Sequence, residues 1–256
     1  MAIVRLAAAW TAGSTANAAP LPATPQAGDL HIKFCAAKPY NATLVDLAGW
    51  TPITGTNGSN GTVANGTDVG SVVWKAWYRY WVAGDSATPS FAVTTGNTNL
   101  GVIVRFRPTA GSTIDTPVGA KGFDVTSGTG YSATMDAAIE IAINDILDNF
   151  TFLPGNNSTF GTPTITATGA TLGTVTENPV TEGSSATGLD CEASASTCIC
   201  TAGSSSSAAV VGWTLSVAQT GGGCFIRIRE TAGAASSDIA ANYVDAGSGI
   251  LMISGG

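Results

Sequence analysis

The sequence predicts an all-β protein: an antiparallel β-sandwich, jelly-roll-like, filling all 256 residues as one large domain. Three observations carry that prediction. Short runs rich in Val, Ile, Thr and aromatics recur along the chain, each bounded by Gly, Pro, Asn or Asp. Helical periodicity is nearly absent. Gly (32) and Pro (11) suit a turn-rich chain, yet stay below the roughly 25–30% that marks low-complexity disorder.

Met1 to Trp10, followed by Ala16-Asn17-Ala18, has the outline of a signal peptide: one basic residue, a short apolar run and an A-x-A site. Arg5 interrupts the apolar run, so residues 2–10 are read as a first strand. Pro20 to Pro25 forms an extended linker. Further strands are expected over 29–36, 72–82, 90–94, 101–107, 162–168, 208–219, 223–229 and 249–254. The Asn-Gly dipeptides at Asn57, Asn60 and Asn65 suit turns with positive φ. From Met135 to Phe150 the apolar residues fit both a strand and a helical face; 137–144 is read as a strand, with Asp145, Asp148 and Asn149 in the turn after it. A boundary between sub-domains, if the chain has one, would fall near 155–160.

An internal echo points to two related halves. Gly101-Val-Ile-Val-Arg-Phe-Arg107 and Gly223-Cys-Phe-Ile-Arg-Ile-Arg229 share the pattern G-x-h-h-R-h-R, and Gly49-Trp50-Thr51 is matched by Gly212-Trp213-Thr214. Strand alternation puts Val102, Val104 and Phe106 on one face and Arg105 and Arg107 on the other. In the second copy Cys224, Ile226 and Ile228 oppose Arg227 and Arg229.

Charged residues are 11% of the chain, far below the roughly 25% of an average soluble protein. With ten basic residues and a net charge of −7, a phosphate-tracking surface is hard to build, so no nucleic-acid partner is expected. No run approaches the ~18 apolar residues of a membrane helix, so no membrane partner is expected either. The single histidine, His31, excludes multi-histidine metal centres, and no G-x-S-x-G, P-loop or H-E-x-x-H pattern is present. The expectation is a non-enzymatic protein without cofactor or metal.

Candidate contact residues remain. Arg105, Arg107, Arg227 and Arg229 would suit an anionic sugar or acidic partner, or would pair with the chain's own acids, the commoner case for strand charges. In the aromatic strand, Trp74, Tyr78 and Tyr80 share one face, while Lys75, Trp77, Arg79 and Trp81 share the other and could meet a subunit or a glycan. Five cysteines form an odd set. Cys191 and Cys198 are candidates for a small disulfide loop, although thiols in an exposed Ser-rich loop are the plainer reading there, and Cys35 and Cys224 read as small buried hydrophobes.

The order of several motifs resembles tailed-bacteriophage β-sandwich virion proteins. The residues are Asp29-Leu-His-Ile-Lys-Phe34, Gly49-Trp50-Thr51, Trp81-Val-Ala-Gly-Asp85, Pro89-Ser-Phe-Ala-Val93, Val102 to Arg107 and Ile114-Asp115-Thr116-Pro117. The likeness covers about residues 29–150, and the chain departs from the pattern at 191–207 and in its last quarter. It implies a decoration, neck, tail or fibre component in the virion, assembled in the host cytoplasm. The implied partners are capsid or tail subunits and further copies of the chain, with intermolecular disulfides as one use for the odd cysteine. The alternative is a fibre or secreted adhesin that binds host surface polysaccharide through Trp77 and Trp81.

Overall fold

The structure, a computed structural model, describes residues 3–60, 72–95, 98–155, 159–177, 183–184 and 191–232. These residues form antiparallel strands and connecting loops, with no helix among them. In the first half the strands are β1 (Val4–Ala7), β2 (Thr11–Gly13), β3 (Ala16–Asn17), β4 (Leu30–Lys38), β5 (Thr43–Leu44), β6 (Thr51–Pro52), β7 (Gly58–Asn60), β8 (Val72–Tyr80), β9 (Phe91–Thr94) and β10 (Thr98–Arg107). The second half has β11 (Ser112–Ile114), β12 (Val118–Thr134), β13 (Ile146–Leu153), β14 (Phe160–Thr166), β15 (Ala170–Leu172), β16 (Thr176–Glu177), β17 (Gly183–Ser184), β18 (Glu192–Gly203), β19 (Val210–Ile228) and β20 (Glu230–Ala232).

Two large sheets pack face to face as a β-sandwich. The first runs β1-β10-β4-β8-β6, with β2 also on β10 and β7 also on β8. The second runs β12-β19-β13-β18-β15, with β14 on β19 and β16 and β17 on β18. Alternation along each strand builds the core between them: Ile32, Phe34, Val102, Val104, Phe106 and Trp74 from the first sheet meet Ile146, Phe150, Phe152, Cys224, Ile226 and Ile228 from the second. Phe34 and Phe150 stack across the interface, with ring centroids 4.9 Å apart.

The echo read in the sequence is an echo of topology. Ranked by chain order within each half, both sheets have the strand order first, fifth, second, fourth, third. The register also agrees, since Leu30 pairs with Phe106 in one copy and Ile146 with Ile228 in the other. Each central strand follows a turn closed by an aspartate. Gln26 N donates to Asp29 Oδ2 at 2.8 Å, and Ala142 N donates to Asp145 Oδ2 at 2.7 Å.

Both sheets are covered on their outer faces as well. A three-stranded sheet, β3-β9-β5, lies over the first, enclosing Cys35, Ala37, Trp77, Ile103, Phe91, Val93 and Trp50. Over the second, the paired strands β12 and β19 bend at register breaks between Asp124 and Gly130 and fold back until Gly122 bridges Met135. Their returning arms and β14 bury Tyr131, Val211, Trp213, Leu215, Phe160 and Ile165 against Leu147 and Phe225. Hence all nine residues of β4 and all eight of β13 are buried.

Three expectations need correction. The strand after Met135 is Ile146–Leu153, not 137–144: Ile139 and Ile141 sit in loop within the outer core, and Asp148 and Asn149 are strand residues rather than turn. Asp148 is tolerated there because Arg5 grips it, while Asn149 Nδ2 donates to Thr151 Oγ1 at 3.0 Å. The Ser-rich stretch after Cys191 is strand β18, buried over 192–196, where small Ala and Ser side chains let neighbouring layers approach closely, and exposed at its end over 201–203. Gly58 lies in β7 without a positive φ, so the first Asn-Gly is not a turn, while the glycines after Asn60 and Asn65 and the strand expected over 249–254 lie outside the described residues.

Candidate functional site

The expected arginine stripe is spent on contacts within the chain. Arg107 makes a bidentate pair with Asp29, both contacts at 2.7 Å. Arg229 grips Asp145 through two bonds of 2.8 Å. Arg105 caps the carbonyls of Ala23 and Thr24 and lies 3.7 Å from Asp29, and Arg227 donates to the Glu140 carbonyl at 3.2 Å. The two copies therefore share their chemistry: the first arginine caps backbone, the second clamps the turn aspartate. Burial alone would raise the Asp29 carboxyl, yet hydrogen bonds from Arg107 and Gln26 carry it below its ordinary value.

Of the aromatic strand's outward face, only part reaches solvent. Trp77 is fully buried, with Nε1 donating to Asp46 Oδ1 at 2.6 Å. Lys75 also donates to Asp46 at 2.6 Å and lies 5.3 Å over the Trp77 ring. Trp77 is thus a core residue and Lys75 its lid, which withdraws both as free contact residues. Trp81, one residue past β8, is half-buried.

Cys191 and Cys198 form no bridge. Cys191 faces the core between the sheets, with Sγ 3.9 Å from Thr98 Oγ1, and Cys198 faces the outer core on the opposite side of β18. Alternation alone forbids a disulfide between them. Burial pushes the Cys198 thiol up to about 12, so it is not a reactive thiolate.

Trp81 opens onto a hollow of about 480 Å³ between the first sheet and its cover, lined by His31, Arg79, Trp50, Asp85, Ser86 and Ser90 among others. His31 is 1% exposed, and its Nε2 has no hydrogen-bond partner among the described residues. It meets Trp81 edge-to-face, centroids 5.8 Å apart. Burial pulls its pKa from the usual 6.5 to about 4, so the imidazole is neutral near pH 7, with Nε2 buried in the wall of the hollow. Arg79 and Asp85 clamp each other at the wall, Arg79 Nε donating to Asp85 Oδ2 at 2.7 Å. A neutral imidazole, two indoles and serine hydroxyls can hold a polar ring. The orphan nitrogen of His31 had no local sequence signal, because the cover that buries it comes from residues 47–50 and 84–90.

A second surface lies at the free edge of the first sheet. Val4 and Leu6 on β1 are 55% and 40% exposed, as are Ile143 and Ile199. Beside them a hollow of about 730 Å³ is lined by Ile3, Ile143, Ile146 and Ile199 together with Asp145 and Arg229. Among the described residues no cluster of His, Cys, Asp and Glu is placed to hold a metal.

No family model, curated protein or solved structure matches this chain.

Proposed function

We propose that this chain is a non-enzymatic structural component of a bacteriophage virion, binding neighbouring capsid or tail subunits and further copies of itself. The observation that carries the reading is the apolar edge at β1, where Val4 and Leu6 reach solvent, with Ile143 and Ile199 exposed around the adjoining hollow. An unpaired edge strand with apolar side chains is a template for another chain. Sparse charge and neutralised arginines accord with a durable particle component. The reading predicts that purified chain co-sediments with particles assembled without it. Val4→Asp with Leu6→Asp should abolish co-sedimentation while leaving the far-UV circular dichroism unchanged; equal co-sedimentation of the two proteins would reject this edge as the contact.

The orphan His31 nitrogen favours a second reading, an adhesin that takes host polysaccharide into the Trp81 hollow. On a glycan array the wild type should then retain a defined saccharide, and Trp81→Ala should lose it. A blank array with folded protein counts against this reading.

A further inference from the structure

Lys33 lies at the centre of β4 on the face turned to the outer cover, and it is 0% exposed. Its Nζ contacts the Oδ1 of Asn17, also 0% exposed, and stands 5.5 Å from the Phe91 ring centroid. Among the described residues no carboxylate pairs with it. Cys35 supplies no counter-charge either, because burial pushes its thiol up to about 11. An isolated buried ammonium is among the costliest groups a fold can carry. The fold does not require it: the equivalent position in the second half is Asn149, a neutral side chain satisfied by Thr151 and Ser196.

The surroundings of Asn17 are built to fix its amide. Nδ2 donates to the Thr11 carbonyl and to Asn99 Oδ1, both at 2.9 Å, which turns Oδ1 toward Lys33. Thr11 Oγ1 donates to the same Oδ1 at 3.1 Å. A Cβ on Gly101 would come within 2.6 Å of Lys33 Nζ and 2.8 Å of Asn17 Cγ, so only glycine leaves room for the two groups to meet.

We propose that Lys33 and Asn17 are the partners of an intramolecular isopeptide bond, formed by the chain itself, that ties β3 to the centre of the first sheet. Lys33 Nζ, as the free amine, attacks Asn17 Cγ; the Nζ–Cγ bond forms, the Cγ–Nδ2 bond breaks, and Nδ2 leaves as ammonia with a proton given up by Nζ. No electrons are gained or lost. Burial lowers the Lys33 pKa to about 8, which makes the amine available near neutral pH. Thr11 Oγ1 stands where the tetrahedral oxyanion develops, and Asn99 holds the leaving nitrogen. The product is a neutral amide, which removes the cost of the buried charge. This inference does not depend on the virion reading.

Intact-mass spectrometry of the full chain tests it. The expected mass is lower than the sequence mass by one ammonia. Trypsin should fail to cut after Lys33, and cleavage before Asp29 should leave the fragments carrying Asn17 and Lys33 joined. Succinimide formation at the Asn-Gly dipeptides loses the same ammonia, so the joined fragments, not the mass alone, are decisive. Lys33→Met should restore the full mass and separate the fragments. A wild-type chain of full mass that is cut after Lys33, even after long incubation at mildly alkaline pH, overturns the proposal whether or not the variant folds.

Discussion

His31 and Lys33 occupy successive outward positions of β4, and both are buried by the cover over the first sheet rather than by the sandwich itself. For His31 this has a pH consequence. Its folded pKa of about 4 lies below the usual 6.5, so between those values the unfolded chain binds more protons than the folded one. Stability therefore rises with pH through that window and is lost as the pH falls through it. Asp29, Arg105, Asp85 and Arg107 all face this imidazole, but His31→Gln should still flatten the plot of Tm against pH between about 6.5 and 4. An unchanged slope would show that His31 is not buried as a neutral group. A second residue-scale prediction concerns Gly222 on β19. A Cβ there would lie 2.8 Å from Trp74 Cζ2, so the large indole is accommodated only because its neighbour has no side chain. Gly222→Ala should destabilise the protein by about 1–3 kcal/mol in urea unfolding, the cost of overpacking a close-packed core.

At the scale of elements, an ion pair ties β1 to the second sheet. Arg5 Nε donates to Asp148 Oδ1 at 2.9 Å, and the Asp148 side chain is fully buried on β13. Burial raises the Asp148 carboxyl even against the opposing pull of Arg5, so this carboxylate depends on its partner. Arg5→Met should cost about 3–5 kcal/mol at neutral pH, and adding Asp148→Leu should return most of that loss. If the double variant were no more stable than the single one, the pair would not be the link that matters.

The same pair explains what the sequence left illegible. The central strands β4 and β10 were readable because alternating large apolar residues mark them. β13 was misplaced because Asp148 and Asn149 look like turn residues until Arg5, far away in sequence, is brought to them. β18 was taken for a loop because Ala and Ser carry little strand signal, and its burial depends on β13 beside it and on the two cores its faces enter, Ala193 and Ala195 in one and Cys198 and Cys200 in the other. For the site, the pairing of Arg107 and Arg229 with the chain's own acids could be read from local pattern. Trp77 could not, since a cover strand 14 residues beyond it closes over its ring, with Phe91 at 4.8 Å.

On the scale of the whole molecule, the chain is two sheets of one topology facing each other through the stacked Phe34 and Phe150, which hold equivalent positions in the two halves. Phe34→Ala or Phe150→Ala should each cost about 3–5 kcal/mol, since each leaves a cavity at the centre of the main core. The double variant should cost less than the sum, by a coupling of about 0.5–1.5 kcal/mol from the ring contact. Strict additivity would mean that the two halves do not meet through these rings. Among the described residues much of the inner and outer faces of both sheets is taken up by internal packing, and the proposed virion role rests on the exposed edge at β1 binding a neighbour.

The most direct test of that role is immunogold electron microscopy of purified phage particles, with antibody raised against the recombinant chain. The account predicts gold at one regular position, on head, neck, tail or fibres, in wild-type particles and none on particles lacking the gene. Particles that carry no label at any position, although the antibody binds the denatured chain on a blot of the infected cells, would contradict it.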